Sequence, residues 1–129
     1  MKRVLFVCIE NSCRSQIAEA FGRMYGEGGI EFYSSGSKPS GVVNQRAIES
    51  MRELGYDLSA HSSKPLTEIP DVEYDVVVAM GCGDECPVVR AKERVEWDIP
   101  DPKDLPEDEF RKVRDMIGEK VREMISRLK

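Results

Sequence analysis

Cys8 and Arg14 close the two ends of a short stretch, Cys8-Ile9-Glu10-Asn11-Ser12-Cys13-Arg14-Ser15, behind the apolar run Val4 to Val7. A strand that stops in a tight loop and runs on into a helix points several backbone N–H groups into one concavity. The helix dipole adds partial positive charge there, which makes an anion site. Arg14 can grip two oxygens of a tetrahedral oxyanion bidentately. Cys8, at the start of the loop, sits where the same field favours a thiolate over a thiol. The spacing therefore describes a thiolate aimed at the centre of a bound oxyanion, with charge stabilisation in place. Ser15 is placed to donate a hydrogen bond to that thiolate, and Asn11 to brace the loop through its backbone. By itself C-x5-R fits equally well a buried cysteine followed by an exposed arginine. The strand before it, the helix after it, and Asn11, Ser12 and Ser15 between them favour the chemical reading.

The elements that position this loop follow from periodicity. Arg3–Cys8 reads as a buried strand, short and almost wholly apolar. From Ser15 to Tyr25, Ile17, Ala20, Phe21 and Met24 mark one helical face, and Gly26 stops it. Ile30–Ser34 is a second strand. Asn44–Leu54 reads as a helix with Ala47, Ile48, Met51 and Leu54 inward. Tyr74–Met80 is a third strand, buried on both faces, and Arg94–Trp97 a short fourth. Glu107–Lys129 is a long helix with Phe110, Val113, Met116, Ile117, Val121, Met124, Ile125 and Leu128 at helical spacing. Strands alternating with helices give an α/β fold with a four-stranded parallel sheet covered on both faces. Ligands of such sheets lie beyond the carboxyl ends of the strands, where Cys8, the loop carrying Cys82 and Cys86, and Asp101 all fall.

The 129 residues are read as one catalytic domain, 1–129, with no repeat or linker. A net charge of −5 with interleaved signs argues against nucleic acid as a partner. No apolar run reaches membrane-span length, and none looks like a signal peptide, so the expected location is cytoplasmic. Four cysteines in such a chain point to catalysis or metal binding before structural disulfides.

The run Val7-Cys8-Ile9-Glu10-Asn11-Ser12-Cys13-Arg14-Ser15-Gln16-Ile17-Ala18-Glu19-Ala20 resembles the low-molecular-weight phosphotyrosine phosphatase superfamily, and within it the thioredoxin-coupled arsenate reductases. The likeness extends from Val4 through Asp101-Pro102. It implies a three-layer αβα fold, with Cys8 as nucleophile, Arg14 as oxyanion ligand and Asp101 as general acid. Asn11, Ser12, Cys13 and Ser15 fill out the oxyanion-binding loop.

Phosphatases and reductases share that loop, so the choice rests elsewhere. Gln16 stands where phosphatases usually have proline, and Lys103-Asp104 follow Asp101-Pro102 where tyrosine phosphatases carry aromatic residues. A phosphatase needs one thiol and moves no electrons. Reduction of As(V) to As(III) takes two electrons, which without a redox cofactor must come from two thiols. The resemblance implies that Cys8 attacks arsenate, a second thiol attacks the adduct, and a third carries the disulfide to thioredoxin or glutaredoxin. Cys82 is the expected resolving thiol and Cys86 the terminal one, although their spacing is shorter than the commonest pattern and leaves the order of attack open. Gly81 and Gly83 are expected to let their loop move.

Competing readings stand beside these. Cys82-x3-Cys86 is half of a zinc site, but a closed site wants four ligands and only Cys8, Cys13 and His61 remain; no metal and no cofactor is expected. Cys13 reads as a packing residue and His61 as structural. Asp98 competes with Asp101 as acid, and an aspartate that merely turns the chain before Pro102 would look the same. Some related reductases hold potassium beside the loop. Asn11, Glu19 and Ser34 match three of its ligands, but Lys64 occupies the fourth position, and no potassium is expected. A phosphatase, and a sensor whose cysteines only bind As(III), are the other functional readings.

Overall fold

The computed structural model describes residues 1–26, 28–81 and 89–128. Its elements run β1 (Lys2–Cys8), α1 (Arg14–Tyr25), β2 (Ile30–Gly36), α2 (Gln45–Arg52), 3-10 turns at Leu58–Ala60 and Leu66–Glu68, β3 (Tyr74–Met80), β4 (Ala91–Trp97) and α3 (Glu107–Leu128). All strand pairs are parallel, in the order β2-β1-β3-β4. The chain steps from β1 outward to β2 and then returns to the other side of β1 as β3. Such a reversal opens a crevice at the carboxyl ends of the two central strands. The register brings those ends level, pairing Cys8 with Gly36, Val7 with Ala79, and Met80 with Trp97.

Alternation along the central strands splits the core. Val4 and Phe6 of β1 and Val76, Val78 and Met80 of β3 face α1 and α3, packed with Ile17, Phe21, Ile117 and Val121. Leu5, Val7, Val77 and Ala79 face the opposite way, under Leu66, Ile69, Val72 and Val89. Residues Val4 to Val7 are wholly inaccessible, and each fully buried side chain of that size contributes roughly 1.5 to 3 kcal/mol. That burial fixes the strand that delivers Cys8.

Helix α1 ends where the N–H of Gly26 bonds the carbonyl of Gly22 at 2.8 Å. Helix α2 starts on a side-chain cap, with Asn44 Oδ1 accepting from the N–H groups of Arg46 and Ala47 at 2.9 and 3.2 Å. It stops at Arg52, two residues short of the expected end, so Leu54 lies past the helix and is exposed rather than inward. Met116 of α3 is exposed too, because its neighbour Ile117 takes the core position. Strand β4 begins at Ala91, three residues before the sequence suggests. Its exposed Lys92, Glu93 and Arg94 hide the strand pattern, and charged side chains are the usual protection of a sheet edge. Likewise β2 continues through Ser35 to Gly36. Among the described residues, no helix is long and apolar enough to cross a membrane.

Candidate active site

The stretch between β1 and α1 folds back on itself because Asn11 takes a left-handed backbone, φ 50°. Asparagine tolerates that region better than most residues. Gly36 lets the loop approach the end of β2: a Cβ there would stand 2.5 Å from the Ile9 carbonyl and 2.9 Å from the Asn11 nitrogen. Neighbouring segments pin the loop further, the N–H of Lys38 bonding Ile9 O at 2.8 Å and the N–H of Asn44 bonding Ser12 O at 2.9 Å. The helix then starts on Cys13, whose side chain makes no capping bond. Its first-turn N–H groups are thus free of a side-chain acceptor from the cap, as an anion site requires.

Cys8 Sγ lies 2.8 Å from Ser15 Oγ. A chain of side chains behind this pair decides which atom donates. Gln16 Nε2 faces three acceptors, Asn11 O at 3.1 Å, Asn11 Oδ1 at 2.9 Å and Ser62 O at 2.9 Å. That fixes its amide, so Gln16 Oε1 faces His61 Nδ1 at 3.0 Å and must accept a proton from it. With Nδ1 protonated, neutral His61 accepts at Nε2 from the Tyr56 hydroxyl, 2.6 Å away. Burial pushes the His61 imidazole below its ordinary pKa, against the pull of Glu19, which keeps it neutral at pH 7. Asn11 Oδ1 also accepts from the Lys64 N–H at 2.9 Å, and Asn11 Nδ2 donates to Ser15 Oγ at 2.8 Å. Ser15 Oγ is therefore an acceptor towards Asn11, and its single proton points to Cys8. Every bond in the series runs toward the sulfur, which is left as the final acceptor.

One expected outcome follows. Ser15→Ala removes the last donor, worth about 1.5 to 3 kcal/mol to a charged partner. Iodoacetamide should then alkylate Cys8 at pH 7 about tenfold or more slowly than in the wild type. An unchanged alkylation rate would show that the serine does not support the thiolate.

Arg14 enters the cleft from the first turn of α1. Its Nη1 donates to the Ile99 carbonyl at 2.9 Å, and its Nη2 lies 3.9 Å from Asp101 Oδ2. The residues after β4 thus reach the loop, and Cys8, Ser12, Cys13, Arg14, Asn44, Asp101 and Lys103 line one cleft of about 130 Å³. Among the described residues Asp101 lines this cleft and Asp98 does not. Gly81, just past β3, lies against the guanidinium: its φ is 78°, and a Cβ there would collide with Arg14 Nη1. Gly81→Ala adds strain of about 1 kcal/mol and displaces Arg14. Tm should fall by several degrees, and kcat/KM by about a hundredfold, since small misplacements at a reacting centre are costly. Tm falling without loss of kcat/KM would separate the glycine from the arginine's placement.

Burial pushes the Cys13 thiol up to about 12, with the Asp101 carboxylate and Cys8 adding to the rise. It stays protonated at neutral pH and packs, so its backbone rather than its sulfur serves the loop. Glu19, almost wholly buried, accepts from Arg23 Nε at 2.9 Å and Ser34 Oγ at 2.5 Å. Lys64 Nζ lies 3.9 Å from the same carboxylate and donates to Ser62 O at 3.0 Å. Glu19, Ser34 and Lys64 do come together beside Asn11. Among the described residues no group of three or more His, Cys, Asp or Glu side chains is arranged to hold a metal ion. Cys82 and Cys86 lie outside the described residues. Gln16 and His61 are the members that residue spacing undervalued. Gln16 is five positions past Asn11, but its partner His61 is 45 residues further on.

The chain matches the family model for low molecular weight phosphotyrosine protein phosphatase over residues 3–129. It is 37% identical to a protein of Synechocystis sp. named glutaredoxin arsenate reductase, with 99% of each chain covered. A solved structure described as an arsenate reductase in the phosphate binding state superimposes with a TM-score of 0.88 at 37% identity, covering all of both chains. The thioredoxin-dependent arsenate reductase of Corynebacterium glutamicum gives a TM-score of 0.79 at 30% identity, covering all of this chain and 64% of that one.

Proposed function

We propose that this chain, which belongs to the low molecular weight phosphotyrosine protein phosphatase family, is an arsenate reductase acting as one catalytic domain over residues 1–129. The observation that carries the reading is the donor series ending on Cys8 Sγ in a cleft that Arg14 and Asp101 also line. Relatives named arsenate reductase over nearly their whole length support it over a phosphatase.

In this reading arsenate lies with its oxygens on Arg14 and on the N–H groups of the loop from Asn11 to Ser15. The Cys8 thiolate attacks arsenic, forming an S–As bond, and Asp101 protonates the departing oxygen, which leaves as water. The Cys82 thiolate then attacks the Cys8 sulfur. The electron pair of the S–As bond passes to arsenic, arsenite leaves, and a Cys8–Cys82 disulfide remains. Two thiols have supplied the two electrons. Cys86 attacks Cys82 next, freeing Cys8 and moving the disulfide away from the oxyanion loop. A dithiol protein of the thioredoxin or glutaredoxin kind reduces it, in the cytoplasm. Hydrolysis of phosphomonoesters shares the first step and is expected as a side activity.

The test is arsenate-dependent NADPH oxidation, coupled in parallel through thioredoxin with its reductase and through glutaredoxin with glutathione. Wild type should turn over with at least one donor, and Cys82→Ser and Cys86→Ser should each stop the cycle. No arsenate-dependent oxidation with either donor would overturn the function. Full turnover in both variants would overturn the assignment of thiols.

A further inference from the structure

At the mouth of the cleft Lys103 Nζ faces Glu10 Oε2 at 3.7 Å. Both residues line the same cleft as Cys8 and Arg14. We propose that Lys103 is a second cation for the bound oxyanion, held in reserve by Glu10, an inference that rests on reading the cleft as an oxyanion site.

The backbone of Lys103 is anchored by hydrogen bonds, while its side chain makes an open ion pair with Glu10. Arg46 Nη1 donates to the Lys103 carbonyl at 2.8 Å, with the Pro102 carbonyl at 3.5 Å. Its guanidinium sits 4.7 Å over the Phe110 ring, so α2 and α3 together hold the turn. The N–H of Lys103 donates to Asp101 Oδ1 at 3.1 Å, which places the ammonium's tether on the turn that carries the acid. Beyond the tether the side chain is 49% exposed and its partner 52%. An ion pair that open and that loose contributes little. Lysine has three donors, so one can turn to a dianion without full loss of Glu10. A dianion carries more charge than the single carboxylate, so it competes with Glu10 for the ammonium even with Arg14 already beside it. Glu10 then has two effects of one sign: it detains Lys103 and repels the incoming anion.

The experiment measures the dissociation constant of inorganic phosphate from its protection of Cys8 against iodoacetamide, which needs no turnover. Lys103→Met should raise the constant about tenfold, and Lys103→Arg should restore it to within about twofold. Glu10→Gln should lower it about threefold. Lys112→Met, which removes the same charge from the exposed face of α3, should leave it within about twofold. An unchanged constant in Lys103→Met, weaker binding in Glu10→Gln, or no protection of the wild type by phosphate would each overturn the proposal. Wild type that is protected by phosphate but does not reduce arsenate would refute the functional reading alone.

Discussion

Cys8→Ser should abolish arsenate reduction and leave the fold standing. The sulfur sits at the end of a strand whose preceding four residues are wholly buried, and serine keeps the size of the side chain. A serine hydroxyl in the same place is not ionised at neutral pH, and its hydrogen-bond partner among the described residues, Ser15 Oγ, points a proton at it rather than taking one. Asn11 Nδ2 donates to Ser15 Oγ, which leaves the serine's own proton for residue 8. The field that assists a thiolate therefore does nothing to activate an alcohol. Loss of kcat on the order of 10⁴-fold or more is expected, with Tm within about 4 °C of wild type and phosphate binding by calorimetry retained. Turnover within about tenfold of wild type would remove Cys8 from the chemistry. Loss of phosphate binding together with turnover would show that the sulfur builds the site rather than attacks from it.

Arg14→Lys is expected to be nearly as damaging, although the charge is kept. The guanidinium performs two tasks that an ammonium cannot combine: it donates to the Ile99 carbonyl at 2.9 Å, tying the loop to the segment of Asp101, and it offers further donors to the cleft. Lysine has no planar fork for two oxygens of a tetrahedral anion. Charge that grows on those oxygens as sulfur adds is then less well met. One missing donor of this kind costs about 10² to 10³ in kcat. Both a fall in kcat and a rise in KM are expected for arsenate. A rise in KM with kcat unchanged would mean that Arg14 holds the substrate and its transition state equally.

Cys8, Arg14 and the strand and helix that carry them were legible because each belongs to a local pattern. The apolar run, the loop and the helical period lie within some two dozen residues. The end of the sheet at which they meet followed from parallel strands alone. What stayed hidden depends on contacts distant in sequence. His61 reads as a structural residue until its bond to Gln16 is seen, and only the full series settles that Ser15 donates to Cys8. Gly81 reads as a hinge, whereas its positive φ and its place against Arg14 give it a steric task. Lys103 reads merely as a departure from an aromatic position, and its pairing with Glu10 across the cleft has no local signature. The start of β4 leaves no sequence mark for a different reason: an edge strand needs no apolar face, so Lys92-Glu93-Arg94 lacks the usual pattern of a strand.

Arsenate held in the oxyanion loop should take two electrons from the chain's own thiols, and a single turnover tests this most directly: fully reduced protein, freed of all other reductant, mixed anaerobically with one equivalent of arsenate. Arsenite should form at about one per chain as the protein loses two hydrogens in its intact mass, and peptide mapping should find the disulfide between Cys82 and Cys86. Arsenate recovered unchanged, with the mass unaltered and four free thiols still titratable, would contradict the claim.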